Sequence, residues 1–294
     1  MDKFYTLPHV VEACLRAVGD SVGWTGWGAV VEPSAGAGAF LVRLPSVGVG
    51  DARIVAMDIL PEHDAVERRD FFDYHPGPSA GEKVLVLGNP PFGRVSSLAV
   101  RFFNHAATFA HAIAFIVPRT FRRVSVQNRL NKNFRLVRDD DVPMGSATAP
   151  SFQPHMQAKC CFQVWERAAQ PRTPVELTTR HADWDYLKLG PLDAKGQPTP
   201  PTGASFAVRA YGARCGEIKK TGLDALRPKS WHWLRATAGV DVDVLADRIA
   251  SLDFAVSRDT ARQDSIGRAE LVELYATSLA RTNTAQAARG APST

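Results

Sequence analysis

The chain has 294 residues, 45% of them hydrophobic, and a formal net charge of +5 at pH 7. That length supplies the core of one large domain, or of a domain plus a smaller one, and no apolar run of 18 residues is present to cross a membrane as a helix. No signal-peptide pattern opens the chain, so a soluble, cytoplasmic protein is expected; Cys14, Cys160, Cys161 and Cys215 lack metal-site or disulfide-framework spacing and read as small buried hydrophobes, with no metal.

In chain order, Lys3 to Pro8 reads as a helix start, with Thr6 as N-cap and Pro8 in the first turn. Val10, Val11, Cys14, Leu15 and Val18 make its apolar stripe. Ala29-Val30-Val31 is a buried strand closed by Glu32-Pro33-Ser34-Ala35-Gly36-Ala37-Gly38. Two glycines there allow a tight turn and close approach of a ligand, ahead of a helix through Phe40, Leu41 and Leu44; a purely structural turn uses glycines in the same way. The next strand, Arg53 to Met57, ends at Asp58, an acid able to accept both hydroxyls of a ribose. Leu41 stands where a dinucleotide fingerprint needs its third glycine, so a nucleoside ligand fits better than NAD. Glu67 to Phe72 ends a further short strand. Asp70 can accept from an adenine amine and Phe71 can stack on its ring, and the pair equally suits surface charge and core.

Chemistry is expected at the end of the fourth strand, Lys83 to Leu87. Pro90 and Pro91 cannot continue a strand, because each fixes φ and lacks an N–H, so the chain leaves the sheet in a stiff corner carrying Asn89 and Phe92. The Asn89 side-chain oxygen and the Pro90 carbonyl are two convergent acceptors, suited to an NH2 group with two hydrogens to donate. Held off-plane, such a nitrogen regains nucleophilicity while Phe92 stacks on the ring that bears it. An Asn-Pro-Pro turn with a core phenylalanine is the plainer alternative.

Leu98, Phe102, Phe103 and Ala106 suggest a helix, and Ala112 to Pro118 a fifth buried strand. Seven cations and no acid lie between Arg119 and Arg138, beginning with Arg119, Arg122 and Arg123 on the same side of the sheet as Asn89. That imbalance favours phosphate binding over a solvated helix face. Phe134 to Val137 and Lys159 to Trp165 complete a seven-stranded, doubly wound parallel α/β sheet at about residue 167, and Phe152 between them can stack on a base or join the core. Residues 168–280 read as a small α+β module whose Trp231 and Trp233 offer either a stacking surface or edge packing. Residues 281–294 lack large apolar side chains and read as a disordered tail.

Together these stretches resemble S-adenosylmethionine (SAM)-dependent methyltransferases acting on amino groups, in particular the N6-adenine DNA methyltransferases with the gamma-class motif order. The resemblance, over roughly residues 3 to 166, implies a Rossmann-like class I methyltransferase sheet followed by a target-recognition module. It implies SAM contacts from Tyr5 and Thr6 in the opening motif, from Glu32, Pro33, Ser34, Ala35, Gly36 and Gly38 in the loop, from Asp58 at the ribose, from Asp70 and Phe71 at the adenine, and from Asn89. It makes Asn89, Pro90, Pro91 and Phe92 the catalytic motif and DNA the partner, in a restriction–modification pair or as an orphan enzyme. RNA adenine or a protein glutamine amide presents the same two hydrogens and remains an alternative target.

Overall fold

The structure, a computed structural model, describes residues 4–76 and 82–289; Lys3 of the opening motif, most of the turn at 75–81 and residues 290–294 lie outside them. The chain divides into two compact units, residues 1–175 and 176–294. The first extends beyond the boundary expected at 167 because residues 168–175 are tied into it. Arg172 donates to the carbonyls of Phe134 and Gln127 at 2.6 and 3.2 Å and lies 5.2 Å from the Trp165 ring centre. The Asn128 side chain brackets the Val175 backbone with bonds of 2.8 and 3.2 Å.

In the first unit the elements are β1 (Tyr5–Thr6), α1 (Pro8–Val22), β2 (Ala29–Glu32), β3 (Arg53–Asp58), β4 (Glu67–Arg68), β5 (Val84–Gly88), α2 (Ser97–Ala106), β6 (Ala112–Pro118), α3 (Val124–Gln127), β7 (Phe134–Val142), β8 (Phe152–Gln153) and β9 (Cys160–Arg167). Seven strands form one sheet in the order β4-β3-β2-β5-β6-β9-β7. Pairing is parallel from β4 to β6, whereas β9 runs antiparallel to both neighbours, so the sheet is mixed rather than wholly parallel. An antiparallel β9 lets the chain return from β7 by a loop instead of a crossover helix. Apart from that one strand direction, this is the seven-stranded α/β architecture that the sequence pattern predicts.

Every residue of β5 and β6 is buried. Their side chains alternate between two cores: Val84 and Val86 pack with Ala99, Phe102 and Phe103 of α2, and Leu85 and Leu87 with Val10, Val11 and Leu15 of α1. Three local expectations differ. Leu7, not Thr6, occupies the N-cap of α1 and makes no side-chain cap. The helix expected through Phe40 and Leu44 is a run of turns ending in a 3-10 turn at Leu44–Val47, since Pro45 follows Gly38 too closely for a helix to propagate. The strand from Phe134 continues past Val137 to Val142 and carries Asp139, Asp140 and Asp141.

The second unit holds β10 (Trp184–Tyr186), β11 (Phe206–Arg209), β12 (Ile218–Lys219), β13 (Trp231–Ala236), α4 (Val242–Ala250) and α5 (Arg268–Arg289). Its antiparallel sheet, β10-β13-β11-β12, buries Trp184, Phe206, Val208 and Leu234 with Leu245, Ile249, Leu271 and Tyr275 of the helices. Trp231 and Trp233 lie among Leu187, Leu223 and Leu226, so they are packing residues and not a stacking surface. The α5 helix continues to Arg289, into the stretch read as a tail, where alanine, glutamine and arginine have good helix propensity.

Candidate active site

At the carboxyl ends of β2, β3 and β5, two loops meet. Ala35 donates its N–H to the Met57 carbonyl at 3.0 Å, and Gly36 donates to Asp58 Oδ2 at 2.9 Å, so the glycine turn is held against the end of β3. Asp58 Oδ1 accepts from Leu60 N at 2.8 Å. Each oxygen keeps a second lone pair, and the carboxylate can still receive a pair of hydroxyls. Gly38 sits at φ +79, and a Cβ there would come 3.3 Å from the His63 ring. Only glycine suits that position.

Glu32, 2% exposed, accepts the Leu41 N–H at 3.0 Å and ties the far side of the turn to β2. Burial pushes its carboxyl up to about 8, against the Leu41 and Phe40 backbone N–H groups that favour the charged form, and the Asp58 charge adds to the rise. Its role is to hold the loop from beneath.

The Asn89 corner adjoins this turn directly. Ser34 Oγ donates to the Asn89 carbonyl at 3.2 Å, joining the two loops. The Asn89 amide Nδ2 donates to Thr6 Oγ1 at 3.1 Å, and Thr6 is buried in a two-stranded ribbon of β1 with β8. With the NH2 turned to Thr6, Oδ1, which receives no donor among the described residues, is left as the acceptor. Pro90 is buried, Pro91 and Phe92 are half-buried, and the Phe92 carbonyl receives the Leu98 and Ala99 N–H groups at the start of α2, both at 3.2 Å.

Several residues here carry no sequence signal. Tyr5 OH donates to both Glu62 oxygens at 2.7 and 2.8 Å, while Glu62 N donates to Gly36 O at 3.0 Å, so Glu62 braces the opening motif against the glycine turn. Just past Asp58, Ile59 and Leu60 are each 52% exposed, an apolar shelf beside an acid. The only cue to these residues is their closeness to Asp58 in the chain.

Other expected site residues are placed differently. The Phe71 ring is 1% exposed and packs on Phe102 and His105, so it belongs to the core and cannot stack on a ligand. Asp70 caps the following 3-10 turn by accepting from Phe72 N at 2.9 Å. Phe152 is likewise 1% exposed, packed inside with β8.

The arginines are the largest correction. Arg119 pairs with Asp141 at 2.8 Å. Arg122 pairs with Asp139 at 2.6 Å and Asp141 at 2.8 Å, which raises its guanidinium above the ordinary range, chiefly through the Asp139 hydrogen bond. Arg135 and Arg138 pair with Glu166 and with Asp140 and Asp20. At least four of the seven cations are thus paired, with aspartates that begin one residue beyond the cluster on β7 and with Asp20 of α1 and Glu166 of β9.

In sequence, the chain matches no protein-family profile and no curated protein. Among solved structures it is similar to the 23S rRNA methyltransferase ErmE, with 16% identity over 57% of this chain and 71% of that one, at a TM-score of 0.38. A Listeria monocytogenes protein described as a class I SAM-dependent methyltransferase gives 12% identity over 58% and 63%, at 0.42; this chain thus spans less than two thirds of it. A Streptococcus thermophilus protein described as a hemolysin gives 12% over 58% and 70%, at 0.35. Likenesses this slight leave the chemistry to the chain's own geometry. No described helix is long and apolar enough to cross a membrane.

Proposed function

We propose that the first unit is a SAM-dependent methyltransferase acting on an amino nitrogen attached to a planar group, and that its substrate is the N6 of adenine in DNA. The observation that carries the reading is the Asn89 amide: its NH2 is anchored on Thr6, its oxygen is left open, and Ser34 links its backbone to the glycine turn. Residues from Pro33 to Gly38, with Asp58, Glu62 and the shelf at Ile59, would hold the cofactor, and the donor set fits a nucleoside because each Asp58 oxygen keeps a lone pair for a ribose hydroxyl. Bound SAM supplies an electrophilic methyl group.

The chain's own residues do the rest. Asn89 Oδ1 and the Pro90 carbonyl accept the two N–H bonds of the target and localise the nitrogen lone pair, a charge-developing step that preorganised acceptors favour. Phe92, half-buried and packed on one side against the core, offers its remaining ring surface for the base to stack on, worth roughly 1–3 kcal/mol and an offset to the cost of flipping the base out of a duplex. The ion pairs of Arg119, Arg122, Arg135 and Arg138 offset part of the charge that spoke for a polyanion, which favours a second reading: a protein glutamine amide offers the same geometry to the same corner. Incubation with methyl-labelled SAM and separate pools of DNA, RNA and protein decides between them. Label recovered as N6-methyladenine from DNA is the expected result; label in the protein pool alone refutes it.

A further inference from the structure

On the reading above, the target base leaves its stack to reach Asn89, and the gap it leaves must be held. We propose that Val95 enters that gap as an apolar wedge, with Arg94 beside it on a phosphate; the inference rests on the nucleic-acid reading of the site. Val95 has φ 51 and ψ 41, a left-handed conformation that a β-branched residue rarely adopts. Its side chain is 74% exposed, so burial does not offset the strain. Strain of this kind persists only where the surroundings impose it, and it gathers at working sites.

The surroundings do impose it. Gly93, at φ 68, has no room for a Cβ, which would meet Leu98 Cβ at 2.7 Å. Ser96, buried and itself at φ 57, shares a 2.6 Å hydrogen bond with Thr120 in the 3-10 turn that follows β6. Val95 therefore projects from a corner pinned on both sides, three residues beyond Phe92. A fixed apolar knob loses little freedom on insertion, and apolar side chains between base steps are a known means of holding nucleic acid open. Arg94 is exposed and, unlike Arg119 and Arg122, has no acid partner among the described residues.

The test uses the full chain, methyl-labelled SAM, and genomic DNA in native and heat-denatured form. Val95→Gly suits the left-handed backbone, so its melting temperature should equal or exceed that of the unmodified protein. Its ratio of rates on native over denatured DNA should fall roughly tenfold, because only the duplex must be opened, and Val95→Ile should restore the ratio. Arg94→Ala should reduce the salt slope of duplex binding by about one phosphate contact. An equal loss on both DNA forms, or none, overturns the wedge while leaving the enzyme assignment standing. An unmodified protein that labels no nucleic acid overturns both.

Discussion

The loops that leave β5 and β6 sit side by side at the same end of the sheet, and they show two ways of reading polar residues. After β5, the backbone is set locally, by two prolines that stiffen the corner, and only the placing of the Asn89 side chain comes from outside, through Thr6 and Ser34. After β6, the character of the loop is set from outside. Arg119 and Arg122 look like a free basic patch along the chain, but β7 lies two strands away in the sheet and brings Asp139 and Asp141 against them. A rigid backbone can be inferred from its neighbours in sequence, whereas a charge can be judged only after its neighbours in space are known.

The first way to break this contrast is at Asn89. Asn89→Ala should lower methyl transfer about 100-fold, the effect of removing one transition-state acceptor, with SAM affinity retained by titration calorimetry; near-normal turnover sinks the role of the corner. Next is Asp139, which accepts from Arg122 and also from Gln163, itself 1% exposed and bonded to Trp165 Nε1. Asp139→Ala strands a buried amide and leaves Arg122 with Asp141 alone, and should cost about 2 kcal/mol in urea unfolding. Arg122→Gln should leave the salt slope of nucleic-acid binding nearly unchanged; a drop of about one phosphate contact means the ion pair opens to the ligand after all.

Thr6→Val keeps the shape of the ribbon and removes the acceptor that orients Asn89. About 1 kcal/mol of orientation, or roughly fivefold in kcat, should be lost with KM for SAM little changed, and Thr6→Ser should recover it. The smallest effect concerns Glu32. Its carboxyl titrates near 8 when folded against a reference of 4.5, so between those values the folded chain holds the extra proton. The contribution is complete below about pH 4.5 and is lost as pH rises through 8, and Glu32→Gln should flatten that part of the decline in melting temperature. An unaltered pH profile shows that the carboxylate is already charged in the folded state.

Much of the fold was legible because apolar runs such as Val84–Leu87 and Ala112–Val117 have only one favourable place, the middle of a sheet covered on both faces. The glycine turn and the double proline were legible for a related reason, as their backbone restrictions belong to the residues themselves. Phe71 and Phe152 were not, since an aromatic ring is equally at home against a ligand or a core, and burial decides. Glu62 was hidden because its partners, Tyr5 and Gly36, are distant in sequence.

Sequence alone therefore determined the strand order's raw material, the stiff corner at Asn89 and the tight turn after Glu32, all consequences of local sterics and hydrophobic pattern. Tertiary structure decided which polar groups remain open. It turned the Asn89 amide toward Thr6, paired Arg119 and Arg122 with acids on β7, and left Val95 strained and exposed, because hydrogen bonds, ion pairs and burial depend on what folding brings within a few ångströms.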